Sequence, residues 1–166
     1  MGKTNQRLMT FDDRTEANIK TLLPKAQAAA RQFMAAVSEA MKTEGVTVKI
    51  ISGTRTFAEQ DKLYAQGRTV PGRKVTNARG GYSNHNFGIA WDIGLFTKDG
   101  RYLEDSPLYR TCGSIGRKLG LGWGGDWKSI QDEPHFEVRP AWAATMSESA
   151  MLEEMRERVA AGKDIL

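Results

Sequence analysis

Hydrophobic residues recur with a helical period near the start of the chain. Between residues 15 and 44 the apolar positions lie three or four residues apart, as they do on one face of a helix. They are Ala26, Ala30, Phe33, Val37 and Ala40. Pro24 suits the first turn of a helix, so the pattern predicts a break near Leu23 and a second helix that begins there.

Three more helices are predicted further along the chain. Thr56 and Glu59 match a capping box, which predicts a helix that runs to Gly67. The Ser-Pro pair at 106–107 supplies an N-cap residue and a first-turn proline for another. Residues 147–160 form a charged amphipathic pattern that predicts a C-terminal helix. Its predicted packing face consists of Met151, Leu152, Met155 and Val159.

Shorter apolar runs predict strands between these helices. Residues 46–51 are rich in β-branched side chains, and residues 89–95 form an apolar run with a single charge. A turn at 98–101 returns the chain as a short hairpin strand at 102–103. The segment 132–138 predicts a last strand, whose start Pro134 restricts to an edge or a first position.

The two histidines of the chain lie in short motifs that are dense in glycine, aromatic and acidic residues. His85 lies in a predicted turn before the second strand, and that strand carries Asp92. A buried carboxylate without a partner is strongly disfavoured, so Asp92 needs a cation or strong donors. A turn that folds back over its own strand would bring His85 and Asp92 together. His135 lies in the last strand, where alternation places it on the same face as Glu137.

Two imidazoles and one carboxylate match the ligand set of a catalytic zinc ion, which keeps a fourth position open for water. Taken singly, each residue has a plainer interpretation, as a hydrogen-bonded histidine or a carboxylate in a salt bridge. Their combination leads to the hypothesis that His85, Asp92 and His135 bind one zinc ion per chain. On this hypothesis the chain is a metallopeptidase.

Three polar or glycine-rich segments have open interpretations. Arg55 follows the first strand and is well placed for a site. The long loop 66–81 is interpreted either as a solvated surface loop or as a flap that faces substrate. It carries Arg68, Arg73, Lys74 and Arg79, and no acid. In the segment 120–127, Trp123 and Trp127 either line a groove or only close the core.

Composition narrows the class of protein. With 166 residues, 40% hydrophobic and 27% charged, the chain is expected to form a single globular domain over residues 1–166. No apolar run approaches the ~18 residues of a membrane span, and residues 1–18 contain no apolar core of a signal peptide. The single cysteine, Cys112, excludes an internal disulfide. The basic N-terminal half suits an anionic polymer, but no nucleic-acid motif is present.

Five motifs in the same order resemble the zinc peptidases of the D-alanyl-D-alanine carboxypeptidase family. They are SGTR at 52–55, EQDKLYAQGRT at 59–69, SNHNFGIAWDI at 83–93, GGDW at 124–127 and DEPHFE at 132–137. The closest resemblance is to the L-alanyl-D-glutamate endopeptidase branch, which includes phage endolysins. The combination of the motif around His85 with the motif around His135 is more specific to this family than either motif alone.

This resemblance implies an α+β fold of the Hedgehog and D-alanyl-D-alanine peptidase type, with a small antiparallel sheet and one zinc ion. It implies zinc ligands at His85, Asp92 and His135, and a catalytic carboxylate at Asp132, which we prefer to its neighbour Glu133. Arg55 is expected to stabilise the oxyanion or to grip a substrate carboxylate. Ser83, Arg68 and Arg73 are the further candidates for substrate binding.

The expected substrate is the stem peptide of bacterial peptidoglycan, cleaved at the L-alanyl-D-glutamate bond. The alternatives are a D-alanyl-D-alanine carboxypeptidase or dipeptidase, and a zinc-stabilised wall-binding module without catalysis. We expect a monomer that binds no nucleic acid and has no stable association with a membrane. The branch implies synthesis in the host cytoplasm and action on the wall after the membrane has been permeabilised.

Overall fold

Five α-helices and five strands follow one another along residues 10–166, the part of the chain that this computed structural model describes. Residues 1–9 lie outside the described residues. They form the first half of the segment 1–18, in which the sequence predicts no signal peptide. The helices are α1 (Asp13–Lys20), α2 (Pro24–Lys42), α3 (Phe57–Ala65), α4 (Leu108–Lys118) and α5 (Glu148–Ala160). The strands are β1 (Val46–Ser52), β2 (Ala90–Thr97), β3 (Tyr102–Leu103), β4 (Gly122–Trp123) and β5 (His135–Glu137).

The five strands form one antiparallel sheet with β2 at its centre. The order is β1-β2-β5-β4, and β3 pairs with the far end of β2. Strand β1 pairs with β2 from Val46 opposite Thr97 to Ser52 opposite Asp92, with an irregularity in register between Ile50 and Ser52. An α+β fold with a small antiparallel sheet is therefore confirmed.

The main core lies between this sheet and α2. The predicted break at Leu23 is confirmed, and the apolar face of α2 is buried as the periodicity indicates. The ring of Phe33 on α2 lies with its centroid 6.0 Å from that of Trp91 and 4.3 Å from that of Phe136. These three side chains are fully buried, and large aromatic residues contribute much of the area that a core removes from water.

The face of β2 opposite Trp91 carries Asp92, because successive side chains of a strand point to opposite sides. The bulky Trp91 therefore fills the core, and its neighbour is left on the other side of the sheet. This alternation separates the packing surface of β2 from its polar surface.

A smaller core joins α5 to the segment before β2. Met151 and Met155 of α5 are fully buried and pack near Phe87 and Ile89. Val159, in the last turn of the helix, keeps 50% of its surface exposed. The prediction that Val159 belongs to the packing face of α5 was therefore wrong.

Local signals in the sequence account for the starts of α3 and α5. The capping box at Thr56 and Glu59 is present at the start of α3, which ends at Ala65, two residues before the predicted limit. Ser147 caps α5 through the backbone N–H of Ala150. Within residues 10–166, none of the helices combines the length and the hydropathy that crossing a bilayer requires.

Candidate metal centre

Asp92 and His135 lie directly opposite each other on the paired strands β2 and β5. Opposed residues of an antiparallel pair project to the same face, so the two side chains meet on the polar side of the sheet. His135 Nδ1 lies 3.2 Å from Asp92 Oδ1. The imidazole of His135 is buried, and the carboxylate of Asp92 is partly open to the cleft described below.

His85 reaches the same point from a single 3₁₀ turn, Asn84–Asn86, that precedes β2. Ser83 caps this turn, since its Oγ accepts a hydrogen bond from the backbone N–H of His85 at 3.3 Å. Gly88 closes the turn with φ of +74°, and a Cβ there would lie 2.8 Å from the Leu23 side chain. The turn folds back over its own strand, as the sequence predicted. It places His85 Nε2 3.1 Å from Asp92 Oδ1.

The three side chains offer ligand atoms that all lie within 4.8 Å of one another. His85 Nδ1 donates a hydrogen bond to the carbonyl oxygen of Gly53 at 2.9 Å, so Nε2 presents its lone pair. His135 Nε2 lies 3.0 Å from Oε2 of the carboxylate of Glu137, so Nδ1 presents its lone pair.

These two lone-pair nitrogens, His85 Nε2 and His135 Nδ1, face each other at 3.2 Å beside a carboxylate oxygen. Two lone pairs and an anion repel one another unless a proton or a metal cation lies between them. The donor set therefore fits a divalent metal of borderline softness, as two imidazole nitrogens and one carboxylate do in catalytic zinc sites.

The electrostatics of the site also favour a cation. Burial raises the pKa of Asp92, but the neighbouring imidazoles of His85 and His135 outweigh burial and hold that pKa well below its usual range. Burial lowers the pKa of His135, but hydrogen bonds with Asp92 and Glu137 outweigh it and raise the pKa overall. The same carboxylates that attract a proton here attract a metal ion.

Asp132 lies at the site, and its neighbour Glu133 points away from it. The backbone N–H of Asp132 donates to the carbonyl oxygen of Gly124 at 3.0 Å, which fixes this turn ahead of β5. Burial and the charge of Asp92 raise the pKa of Asp132. Glu133 Oε1 instead accepts from Nε of Arg110, a residue of α4, at 3.0 Å. Of the two acids, only Asp132 lines the cleft.

Arg55 lies three residues after the end of β1 and is held by three hydrogen bonds. Its backbone N–H donates to the carbonyl oxygen of His85 at 2.9 Å. Its guanidinium donates through Nε to Gln60 Oε1 and through Nη1 to Ser52 Oγ, both at 2.9 Å. Burial lowers the pKa of Arg55, and the charges of Asp92 and Asp132 oppose this. Arg55 is therefore a fixed cation beside the metal donors.

Gln60 is a residue of the site that sequence reasoning did not single out. It is the one fully buried residue of α3. Its Oε1 accepts from Arg55, and its Nε2 donates to the carbonyl oxygen of Ala78 at 2.8 Å. It therefore ties Arg55 to the loop that forms one wall of the cleft. The available signal was its place in the EQ pair of the second motif.

A cleft of about 630 Å³ opens over these groups. One wall is the loop at 75–78, a second is the segment 127–129, and a third is α5 with Glu148 and Leu152. Ser83 also lines the cleft. This volume falls within the range of ordinary ligand sites, so a short peptide segment fits it.

The basic loop contributes Val75, Thr76 and Ala78 to the cleft, and not Arg68 or Arg73. Arg68 Nη1 donates to the carbonyl oxygens of Tyr64 at 2.7 Å and Thr76 at 3.0 Å, so this side chain holds the loop in shape. Arg73 is exposed, and neither arginine is among the residues that line the cleft. The interpretation of the loop as a flap that faces substrate therefore suits residues 75–78, and it does not extend to Arg68 and Arg73.

The two tryptophans of the glycine-rich segment have different surroundings. Trp123 is buried in the main core, and its Nε1 donates to the carbonyl oxygen of Glu133 at 2.7 Å. Trp127 lines the cleft, with its ring centroid 4.8 Å from that of His135. Of the two open interpretations, closing the core therefore holds for Trp123, and lining a groove holds for Trp127.

Fold and site together define a metallopeptidase of α+β architecture, with its donors on a sheet and an adjacent turn. The profile of a family described as D-alanyl-D-alanine carboxypeptidase matches residues 76–138, which contain the three donors and Asp132. The chain is 42% identical over 119 residues to the peptidoglycan L-alanyl-D-glutamate endopeptidase CwlK of Bacillus subtilis strain 168. That match covers 66% of this chain and 71% of the relative. The chain belongs to the D-alanyl-D-alanine carboxypeptidase family of peptidases, as its motifs predicted.

Solved structures with the same fold include other peptidoglycan peptidases. The L-Ala D-Glu endopeptidase ChiX of Serratia marcescens superposes with a TM-score of 0.54 at 22% identity, over 82% of this chain and 95% of that one. The LD-carboxypeptidase LdcB superposes with a TM-score of 0.50 at 21% identity, over 86% of this chain and 72% of that one. At these identities the likeness concerns the fold.

Proposed function

We propose that this protein is a zinc-dependent endopeptidase that cleaves the L-alanyl-D-glutamate bond of the peptidoglycan stem peptide. The observation that carries the proposal is the meeting of His85, Asp92 and His135 in one cleft with Asp132 and Arg55. Support for this particular bond comes from the 42% identity to an endopeptidase of that specificity.

His85 Nε2, His135 Nδ1 and the carboxylate of Asp92 would hold the zinc ion. Zinc bound there supplies a Lewis acid that polarises the scissile carbonyl and lowers the pKa of water. Asp132 takes a proton from the attacking water and passes it to the leaving amine as the C–N bond breaks. The raised pKa of Asp132 makes its carboxylate a stronger base than an ordinary aspartate.

Arg55 has two roles open to it. Its guanidinium can stabilise the negative charge that develops on the carbonyl oxygen, where the loss of one donor typically costs about 10²–10³ in rate. It can instead bind a carboxylate of the substrate through two parallel hydrogen bonds. A substitution of Arg55 that lowers kcat alone supports the first role, and one that raises KM alone supports the second.

The decisive experiment is digestion of purified peptidoglycan followed by identification of the products. The proposal predicts fragments with a new amino terminus on D-glutamate, detected by amine labelling and mass spectrometry. Release of terminal D-alanine without that new terminus would contradict an endopeptidase.

A D-alanyl-D-alanine carboxypeptidase is the second candidate, because the matching family carries that description. The same metal and base serve both reactions, and only the contacts along the cleft differ. A synthetic pentapeptide that ends in D-alanyl-D-alanine separates the two, since a carboxypeptidase shortens it by one residue from the C-terminus.

We also propose that the enzyme acts as a phage-type endolysin, in agreement with the branch that its motifs resemble. It would be a monomer, made in the host cytoplasm and reaching the wall after a partner protein permeabilises the membrane. Expression in a susceptible host should then leave turbidity unchanged until a permeabilising agent is added. Lysis without permeabilisation would contradict this route, and sedimentation of the purified protein tests the monomer.

A further inference from the structure

Glu137 is a buried carboxylate that the proposed reaction does not use. It lies on β5 two residues after His135, and its side chain is 3% exposed. Within residues 10–166, no lysine or arginine forms an ion pair with it, and its only ionisable partner is His135. A buried carboxylate is costly without such compensation, so its contact with His135 calls for a functional explanation.

The surroundings fix the position of this carboxylate. Oε2 of Glu137 accepts a hydrogen bond from Nδ2 of Asn84, the residue before His85. The same Nδ2 also donates to Glu148 Oε2 at 3.3 Å, and Glu148 Oε1 lies 2.7 Å from Nη1 of Arg139. Gly122 faces Glu137 across the strand pair, and a Cβ there would lie 2.9 Å from Glu137 Cγ. The fold therefore leaves room for Glu137 and holds it beside His135.

The contact with Glu137 determines which nitrogen of His135 is free. A carboxylate accepts and does not donate, so the 3.0 Å contact places the imidazole proton on Nε2. The lone pair is then on Nδ1, the nitrogen that lies 3.2 Å from Asp92 Oδ1 and from His85 Nε2. An imidazole with the proton on Nδ1 would present an N–H, and not a ligand, to the metal.

We propose that Glu137 is a positioning residue that holds His135 in the Nε2–H tautomer and so raises the affinity of the site for zinc. The proposal rests on the zinc site proposed above. A carboxylate behind a ligating histidine fixes its ring and increases its basicity, and loss of such a partner typically weakens metal binding about 10–100-fold.

The test measures zinc affinity, which needs no substrate. The dissociation constant of the metal-free protein is obtained by competition with a chromophoric chelator, for the parent, Glu137→Leu and Glu137→Gln. Glu133→Gln is the matched control, because this neighbouring carboxylate contacts Arg110 outside the cleft. Circular dichroism and thermal unfolding of the metal-free forms show whether each variant folds.

We expect Glu137→Leu to bind zinc about 10–100-fold more weakly than the parent. Glu137→Gln, which keeps an oxygen acceptor, should lose less, and Glu133→Gln should bind as the parent does. A folded Glu137→Leu with parental affinity would overturn the proposal. So would a folded Glu137→Gln that is weaker than Glu137→Leu.

A second measurement decides the matter if Glu137→Leu does not fold. Nitrogen-15 NMR of the zinc-loaded parent reports the tautomer of each imidazole, and the chain has only two histidines to assign. The proposal requires a proton on Nε2 of His135. A proton on Nδ1 would overturn it. Because neither measurement uses peptidoglycan, a failure here is distinguishable from a failure of the proposed substrate.

Discussion

Asp92 faces His135 across β2 and β5, and it faces Ser52 across β2 and β1. The central strand thus carries one metal donor with a second donor directly beside it. Ser52, Asp92 and His135 thus form a row across three strands. Ser52 accepts a hydrogen bond from Arg55, which brings the guanidinium to this row. A register shift of one residue in either pair would move a member of this row to the opposite face of the sheet. The antiparallel pairing is therefore what assembles donors that lie far apart along the chain.

Removal of the metal should abolish peptidase activity. Treatment with 1,10-phenanthroline or EDTA is expected to silence the enzyme, because His85, Asp92 and His135 have no catalytic function without the ion. Readdition of about one equivalent of zinc should restore the rate of stem-peptide cleavage. Activity that survives thorough chelation, with the metal content verified by mass spectrometry, would refute the metal mechanism.

Replacement of Asp132 should separate catalysis from metal binding. Asp132→Asn is expected to lower kcat by about 10²–10⁴, the usual contribution of a general base, while zinc stays near one per chain. The measurement pairs initial rates of cleavage with metal analysis of the same preparation.

Glu133→Gln serves as the control for Asp132→Asn, because its side chain contacts Arg110 and does not line the cleft. It should retain parental kcat. If Glu133→Gln were inactive and Asp132→Asn active, the assignment of the base would be reversed.

Loss of the Gln60 side chain should impair catalysis through Arg55. In Gln60→Leu the guanidinium loses its Nε partner, and the carbonyl of Ala78 loses its donor. We expect kcat/KM to fall, by less than in Arg55→Ala, and stability to fall by about 1–3 kcal/mol, because buried polar groups are left unpaired. Cleavage rates and urea unfolding measure the two effects.

A suitable control for Gln60→Leu lies one residue earlier on the same helix. Glu59→Gln keeps a side chain that can complete the capping box with Thr56, and it faces solvent. Its activity should match the parent. An unchanged kcat/KM in Gln60→Leu would show that Arg55 does not need this partner.

Acid should weaken the attachment of α1 to α2 through Glu16. The hydrogen bond with Arg31, opposed in part by burial, lowers the pKa of Glu16 from 4.5 to about 2. Because the folded-state pKa lies below the unfolded one, the contribution to stability is present above about pH 4.5 and is lost as the pH falls towards 2. The pair is partly exposed, so the contribution is about 1 kcal/mol or less.

The corresponding measurement compares the parent with Glu16→Gln by urea unfolding. The difference in the free energy of unfolding should be largest near pH 7 and should shrink below pH 3. A difference that grows on acidification would contradict the assigned direction.

The single thiol should be inert in the folded protein. Cys112 is fully buried, and burial raises its pKa to about 12, so the reactive thiolate is scarce at neutral pH. Iodoacetamide is expected to leave both the native mass and the activity unchanged, and to label the protein only in denaturant. Rapid labelling of the native protein together with loss of activity would show that this part of the core opens readily.

Local rules of sequence explain part of the fold and of the site. Alternation along β5 placed His135 and Glu137 on one face, and the capping box located the start of α3. The orientation of charged side chains in the loop could not be predicted from such rules. Arg68, for example, donates to the backbone carbonyls of residues 64 and 76, and no periodicity in the sequence encodes these contacts. The contribution of Glu148 to the cleft depends on how α5 docks, which is a property of the tertiary structure.

The most direct test of the metal centre is a crystal structure of the zinc-loaded protein with anomalous diffraction at the zinc edge. The account predicts one anomalous peak per chain, at about 2.0–2.2 Å from His85 Nε2, His135 Nδ1 and a carboxylate oxygen of Asp92. A zinc ion bound elsewhere, or a peak that lacks any of these three ligands, would contradict it.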